Sequence, residues 1–321
     1  MKASLLILDE IRLNFSSGGL FILNLTLAFI MFGIALEIKP NQFKEILKHP
    51  KAVIVGFLSQ FVILPALTFI LIFFFRNWIT TSVALGMVLV AACPGGNVSN
   101  LISVLAKGNA ALSVSLTAIA TLSSVIFTPL NFAFWGGLFT KTSPLLVPIE
   151  IPFWGMFQTV FMLLGIPLII GMLFSWKFPH LTNRIIKPIK TISVIIFIGF
   201  IVVAFGNNID YFLKYIKYIF LLVLIHNALA LGSGYLFGTI AGIRGQNRRT
   251  ITIETGIQNS GLALILIFNP GIFPPELQTG GMAFVAAWWG IWHIFSGLSI
   301  AAFWSRKTVT QIDIVPQFNS K

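Results

Sequence analysis

The chain has 321 residues, of which 57% are hydrophobic and only 9% are charged. A soluble domain carries about 25% charged residues, so this composition excludes a soluble protein and predicts an integral membrane protein. The formal net charge of +12 does not indicate nucleic-acid binding, because the basic residues lie in short loops between apolar segments rather than on one soluble face. The single cysteine, Cys93, excludes an intrachain disulfide bond.

Nine apolar runs follow one another along the chain, and each is long enough to cross the hydrocarbon core of a bilayer as a helix. They predict an all-α polytopic membrane protein with one transmembrane domain over residues 19–305. An extracytoplasmic N-terminal tail over residues 1–18 and a cytoplasmic C-terminal tail over residues 306–321 would flank that domain. The predicted spans cover residues 19–37, 52–75, 80–106, 110–135, 153–176, 191–209, 215–241, 249–269 and 281–305.

The distribution of basic residues predicts the orientation in the membrane. Of the 21 Lys and Arg residues, 15 lie in the loops after spans 1, 3, 5 and 7 or in the C-terminal tail, and six lie on the other side. Cytoplasmic loops carry the excess of Lys and Arg, so the C-terminus is predicted to be cytoplasmic and, with nine spans, the N-terminus outside. This pattern fits a multi-pass protein of the plasma membrane, which is the inner membrane if the chain is bacterial.

Two spans are interrupted near their middle. Span 3 contains Cys93-Pro94-Gly95-Gly96-Asn97, where proline removes a backbone donor and two glycines weaken the helix. Span 8 contains the polar segment Glu254-Thr255-Gly256-Ile257-Gln258-Asn259-Ser260-Gly261. Paired interruptions indicate a transport site near the bilayer midplane, and their opposite directions predict an inverted repeat of spans 1–4 against spans 6–9. The predicted helix-break residues are Pro94, Gly95, Gly96, Gly256 and Gly261.

Glu254 is the only one of the nine acidic residues that lies deep inside an apolar span. A carboxylate at bilayer depth costs roughly 2.5–3.5 kcal/mol on insertion scales, so it has to face the protein interior and have a partner. No Lys or Arg lies in the core of any predicted span. A cation that binds and leaves is the simplest partner, and this indicates a cation-coupled transporter.

At these residues the chain resembles the bile acid:sodium symporter family over nearly its whole length. The segments Cys93-Pro94-Gly95-Gly96 and Gln258-Asn259-Ser260-Gly261, together and on these spans, are the specific part of the likeness. The resemblance implies a core domain beside a panel domain, with two broken helices that cross in the core. It begins near the second helix of the family's ten-helix form, which agrees with nine spans. Further matching segments are Lys48-His49-Pro50-Lys51, Lys107-Gly108-Asn109, His226-Asn227 and Trp292-His293.

The resemblance also implies two sodium sites, whose two Na⁺ ions are co-transported. Hard oxygen ligands suit a hard cation, and Glu254 would supply the negative charge to both sites. Ser113 and Thr117 are four residues apart, so they share one helix face. The first site would use Ser99, Asn100, Ser113, Thr117 and Glu254. The second site would use the side chains of Gln60, Glu254 and Gln258 with the backbone carbonyls of Thr255 and Ile257.

The substrate that the resemblance implies is an organic anion, such as a bile acid-like compound or a small carboxylate. The chain offers no buried arginine for a carboxylate, so amides, hydroxyls and half-helix N-termini would have to hold it. Asn97 stands where relatives commonly have a small residue or Thr, and Ile294 stands where bacterial relatives often have Asn. The resemblance therefore supports sodium coupling more strongly than it supports any particular anion as the substrate. The predicted substrate-binding residues are Asn97, Ser99, Asn259, His293 and Ile294.

The predicted function is sodium-coupled import of an organic anion by alternating access, with the anion and the lipid bilayer as partners. Neither a nucleic acid nor an obligate protein partner is indicated. The alternative is a proton-coupled efflux carrier of the same superfamily, of the arsenite type, in which Glu254 carries a proton. An enzyme is not predicted, because no paired-Asp, His-Glu or Ser-His-Asp motif lies at a plausible depth. A channel would be expected to carry a repeated filter-like motif, which this sequence lacks.

Overall fold

A computed structural model describes residues 2–10, 17–38, 50–96, 98–142, 153–206, 209–269, 271–273 and 277–307. The secondary structure of these residues is helical, with no β-strand among them. Each predicted apolar run overlaps one helix or a pair of half-helices among these residues. The helices are α1 (Lys2–Asp9), α2 (Ser17–Glu37), α3 (Pro50–Phe75), α4 (Thr81–Ala92), α5 (Val98–Leu105), α6 (Ala110–Thr142), α7 (Phe153–Lys177), α8 (Pro179–Gly206), α9 (Ile209–Ile240), α10 (Gly245–Gly256), α11 (Ser260–Ile267) and α12 (Gly280–Ser305).

The length and hydropathy of the helices support an integral membrane protein. Five described helices, α3, α6, α7, α12 and the part of α9 from Leu213 to Ile240, are long and apolar enough to cross a bilayer. The shorter helix α4 is also apolar. The count of nine spans, the orientation and the tail boundaries remain predictions.

The structure divides both interrupted spans into half-helices. Helix α4 ends where Cys93 adopts an extended conformation, and Pro94, Gly95 and Gly96 lie between α4 and α5. Helix α10 ends at Gly256. The prediction for Gly261 needs correction, because this residue lies in the first turn of α11 rather than in the break. The side chain of Asn259 accepts a hydrogen bond from the backbone N–H of Leu262 and caps the helix. Helix α11 therefore begins at Ser260 and already includes Gly261.

Helix α8 differs from the predicted sixth span, which covered residues 191–209. It begins at Pro179 and ends at Gly206. Its first turns carry His180, Arg184 and Lys187, so an apolar window does not detect them. Proline favours the first position of a helix, because its missing N–H would have no intrahelical partner there. The helix therefore starts well before its apolar part.

The helices pack in two groups. In the lateral bundle, α2 packs against α7 and α8. In the central bundle, formed by α3–α6 and α9–α12, the helix α12 packs against α4, α5, α9 and α11, and α9 runs along α10. The half-helices α5 and α10 both contact α6. Both helix breaks therefore lie inside the central bundle.

The two ends of α12 lie against charged side chains from distant parts of the chain. At its N-terminal end, the buried side chain of Asp9 accepts a hydrogen bond from Thr80 Oγ1 at 3.0 Å and lies against Gly281. At its C-terminal end, Arg249 Nη1 donates to the carbonyl of Trp304 at 3.0 Å. An acidic group near the N-terminus and a basic group near the C-terminus both complement the helix dipole. Helix α1, which lies within the predicted N-terminal tail, is thereby held against the central bundle.

Candidate cation and substrate site

The two helix breaks meet inside the central bundle. Gly95 and Gln258 form an isolated antiparallel bridge. The backbone N–H of Gly96 donates to the carbonyl of Ile257 at 2.7 Å, and the N–H of Asn259 donates to the carbonyl of Pro94 at 2.8 Å. A Cβ at Gly96 would come within 3.2 Å of the Gln258 carbonyl oxygen, so the close approach of the two backbones favours glycine. These bonds satisfy backbone groups that the interrupted helices leave without intrahelical partners.

The Glu254 carboxylate lies beside this crossing and is fully buried. Its Oε1 accepts hydrogen bonds from Ser99 Oγ at 2.6 Å and from Ser113 Oγ at 2.5 Å. Its Oε2 accepts a hydrogen bond from Thr117 Oγ1 at 3.0 Å. These three hydroxyl groups belong to α5 and α6 and are neutral, so they solvate the carboxylate without neutralising its charge.

The five residues of the first predicted sodium site are brought together around this carboxylate. Asn100 Oδ1 lies 3.0 Å from Ser113 Oγ and 3.2 Å from Thr117 Oγ1. Each of these two hydroxyls carries one proton but lies within hydrogen-bond distance of both Asn100 and Glu254. The cluster therefore has more acceptor oxygens than protons, which is the composition that favours a hard cation.

Two glutamine side chains of the second predicted sodium site lie beside the first break. Gln60 Oε1 accepts from the Gly95 N–H at 3.3 Å, and Gln258 Nε2 donates to the Thr255 carbonyl at 2.8 Å. Both side chains are fully buried, and Gln258 Oε1 has no hydrogen-bond partner in the part of the chain that the structure describes. A Cβ at Gly95 would lie 3.1 Å from Glu254 Oε2 and 3.4 Å from Gln60 Oε1, so both oxygens lie close to Gly95. The Ile257 carbonyl already accepts from Gly96 and has a second lone pair.

Gln60 lies in a π-helical stretch, Ser59–Ile63, that sequence reasoning missed. Such stretches inside α-helices are frequent at functional sites. The signal that could have found it is Pro65, because a proline ring clashes with the carbonyl four residues before it, here that of Phe61. The wider turn relieves this clash.

The predicted substrate-binding residues lie on several elements. Asn97 falls outside the described residues. Ser99 donates to Glu254 and so stands among the candidate cation ligands, while Asn259 caps α11. On α12, His293 is buried and its Nδ1 has no partner among the described residues, whereas Ile294 is half-buried. Of the four described members of this group, only Ser99 is hydrogen-bonded to Glu254.

Asn227 on α9 lies at the second break, where the sequence alone predicted no role for it. Its Nδ2 donates to the Gly256 carbonyl at 2.8 Å, and its Oδ1 accepts from Ser296 Oγ at 2.5 Å. An amide inside the apolar ninth helix is the signal that could have drawn attention to it. Among the described residues, no group of three or more His, Cys, Asp or Glu side chains could hold a metal ion.

Comparison with known proteins identifies the family. A sequence model of the Sodium Bile acid symporter family matches residues 24–215, which include the first break. The "Uncharacterized sodium-dependent transporter YocS" of Bacillus subtilis is 30% identical, over 92% of this chain and 88% of its own length. The "Probable sodium/metabolite cotransporter BASS1, chloroplastic" of Arabidopsis thaliana is 29% identical over 89% of this chain and 67% of its own length. The "Probable sodium/metabolite cotransporter BASS2, chloroplastic" of Oryza sativa subsp. japonica is 28% identical over 82% of this chain and 62% of its own length. The chain therefore belongs to the sodium bile acid symporter family and is related to sodium-dependent membrane transporters.

Proposed function

We propose that this protein is a secondary active transporter of the plasma membrane that couples the entry of sodium ions to the import of an organic anion by alternating access. The observation that carries the proposal is the buried Glu254 carboxylate, whose bonded partners are all neutral hydroxyl groups. A buried charge is expensive unless it is paired. Relatives named as a sodium-dependent transporter and as a probable sodium/metabolite cotransporter support sodium as the ion that pairs with it.

The first ion would lie among the oxygen atoms of Ser99, Asn100, Ser113, Thr117 and Glu254. A sodium ion needs only lone pairs, so its binding would end the competition for the protons that Ser113 and Thr117 share. These ligands come from α5, α6 and α10. Their convergence on one ion would hold both half-helices to α6.

The second ion would lie on the other side of Glu254, near Oε2. Among the described residues, Gln258 Oε1 has no partner, and Gln60 Oε1 accepts only the long bond from Gly95. The carbonyls of Thr255 and Ile257 would complete this set. With two ions bound and a monovalent anion carried, each cycle would move net positive charge inward, whereas a doubly charged anion would make the cycle neutral.

The anion would bind after the ions, beside the two breaks. Its ligands would be Asn97, Ser99, Asn259 and His293, with Ile294 shaping the cavity, and the N-terminal ends of α5 and α11 would favour its negative charge. The lateral bundle would act as the panel and the central bundle as the core of an inverted-repeat transporter. The bound ions would lower the free energy needed to close the central bundle over the anion.

The proposal is tested by thermal unfolding of the purified protein in NaCl and in KCl. The wild type should be stabilised specifically by sodium, and Glu254→Ala should lose this response. Thr117→Val and Thr121→Val form a matched pair, because both remove a hydroxyl from α6 but the Thr121 hydroxyl donates only to the Thr117 carbonyl of its own helix. Only Thr117→Val should weaken the sodium response. Equal curves in the two salts, with a strong pH dependence instead, would overturn sodium coupling in favour of the proton-coupled efflux carrier.

A further inference from the structure

Asn227 connects the second helix break to two other helices of the central bundle. It is fully buried on α9, and both ends of its amide are bonded. The Nδ2 group faces a carbonyl and the Oδ1 atom faces a hydroxyl. A flipped amide would place two oxygens against each other at Gly256, so the partners determine its orientation. Asn227 therefore donates to α10 and accepts from α12 in one fixed geometry.

The Gly256 carbonyl that Asn227 holds lies between two proposed sodium ligands, the carbonyls of Thr255 and Ile257. The same peptide group is held at its other end, because the Ile257 N–H donates to the Ile253 carbonyl at 2.9 Å. Leu231, four residues after Asn227 on α9, packs directly against Gly256. The peptide after Gly256 is thus fixed in place, and the directions of the neighbouring carbonyls follow from it.

Ser296 extends this connection to the helix that carries His293. Its hydroxyl donates to Asn227 Oδ1 at 2.5 Å and lies 3.1 Å from the His293 carbonyl. Ser296 and His293 are three residues apart and share one face of α12. A change in the position of Gly256 would therefore reach the proposed substrate side of α12 through two hydrogen bonds.

We propose that Asn227 is a positioning residue for the second sodium ion and links that ion to the substrate-binding helix α12. This inference rests on the proposed sodium-coupled transport. Without Asn227, the Gly256 carbonyl would be buried without a donor, at a depth where such groups are costly. The peptide would rotate to find another donor, such as Gln258 Nε2, which now bonds the adjacent Thr255 carbonyl. That rotation would move the carbonyls away from the ion.

A purely structural role for Asn227 makes a different prediction. If the amide only satisfied two buried groups, its loss would lower the melting temperature and leave the sodium concentration for half-maximal stabilisation unchanged. A positioning role requires that this sodium concentration rise. The readout that separates the two is therefore the half-saturating sodium concentration, measured with sodium as the only added ligand.

The experiment measures thermal unfolding of the full-length protein, and binding of radioactive ²²Na⁺, as NaCl replaces choline chloride. For Asn227→Ala we expect the half-saturating sodium concentration to rise roughly 5- to 100-fold, as the loss of one buried hydrogen bond implies. The Hill coefficient should fall towards one, because the first site remains. The control is Ser233→Ala on the same helix, since the Ser233 hydroxyl is buried and donates to the Ala230 carbonyl of α9 itself. It should leave the half-saturation within about twofold of wild type.

Ser296→Ala decides the question if Asn227→Ala does not fold, because it removes one oxygen atom and keeps the bond between Asn227 and Gly256. We expect it to raise the half-saturating sodium concentration about 2- to 10-fold. An unchanged half-saturation in the folded Asn227→Ala protein, or in Ser296→Ala when only that variant folds, would overturn the inference and leave sodium coupling intact. A wild type that binds no ²²Na⁺ and is not stabilised by sodium would instead overturn the proposed function and, with it, this inference.

Discussion

The two helix breaks are built by different chemistry. In the first break, Pro94, Gly95 and Gly96 interrupt the helix through the backbone itself, because proline lacks a donor and glycine weakens the helix. In the second break there is no proline, and side chains hold the freed backbone: Asn227 bonds the Gly256 carbonyl and Gln258 bonds the Thr255 carbonyl. The first break thus arises from residues that cannot support a helix, whereas no proline forces the second, and its freed carbonyls are held by amide side chains.

This difference fits the parts that the two breaks supply to the candidate site. The first break leads into Ser99 and Asn100, two of the proposed neutral ligands, and leaves room for close approach at Gly95. The second supplies the charge at Glu254 and carbonyls whose directions depend on neighbouring helices. The second break is therefore expected to be the more sensitive of the two to changes in α9 and α12.

The largest effect is expected where the second break supplies its charge. Glu254→Gln keeps the size and hydrogen-bonding oxygen of the side chain but removes the negative charge from both proposed sites. We expect binding of ²²Na⁺ to fall by more than about 100-fold, since a charged ligand pair in a buried site is worth several kcal/mol. Sodium titration of the purified variant against wild type measures this. Retained sodium affinity would show that neutral oxygens suffice and that the two breaks contribute equally.

A smaller effect is expected for a neutral ligand that contacts Glu254 from α6. Thr117→Val should raise the half-saturating sodium concentration roughly 5- to 50-fold, because it removes one hydroxyl ligand and keeps the shape. Thr121→Val, one turn further along α6, should leave this concentration within about twofold of wild type. Paired titrations of the two variants provide the test, and equal shifts would mean that the loss of any α6 hydroxyl perturbs the site indirectly.

The dependence of the second break on α9 can be measured through the contact between Gly256 and Leu231. Gly256→Ala should lower the free energy of unfolding by about 1–3 kcal/mol, because the added methyl group would overlap the Leu231 side chain. The double variant with Leu231→Ala makes room and should unfold at a higher temperature than Gly256→Ala alone. If the double variant did not unfold at a higher temperature, the added methyl group at residue 256 would be crowded by backbone atoms, as a Cβ at Gly96 would be in the first break. Calorimetry of the single and double variants decides between these outcomes.

The smallest effect concerns pH and lies away from both breaks. Burial raises the pKa of Asp9 from 3.8 to about 7, in spite of the hydrogen bonds from Thr80 and Ser82, which lower it. The folded protein therefore binds more protons than the unfolded chain between about pH 4 and pH 7, so its stability should fall as the pH rises through this window. In Asp9→Asn the loss of unfolding free energy across this pH window should be smaller by roughly 1–3 kcal/mol than in the wild type. Melting temperatures of both proteins at several pH values, in constant sodium, test this prediction. If the two proteins lost stability equally as the pH rises, the pH dependence would belong to groups other than Asp9, of which Glu254 would be examined next.

Much of the architecture could be predicted from local patterns. Apolar runs predicted the helices, proline and paired glycines predicted the first break, and an isolated carboxylate pointed to Glu254 as the centre of a candidate site. The start of α8 was missed, since its first turns are polar and hydropathy reports how apolar a helix is rather than where its hydrogen bonds begin. Gly261 was misplaced because the cap at Asn259 depends on a side-chain hydrogen bond that composition does not reveal.

The sequence by itself determined where the chain cannot be a continuous helix and where a charge needs a partner, because both are properties of a few adjacent residues in an apolar span. Only the tertiary structure decided which atoms surround that charge. Ser99, Ser113 and Thr117 lie 155, 141 and 137 residues before Glu254, and their convergence depends on how α5, α6 and α10 pack together. The same holds for Asn227, whose two partners belong to helices that follow it in the chain. A contact between distant segments is set by helix packing, and no local pattern specifies it.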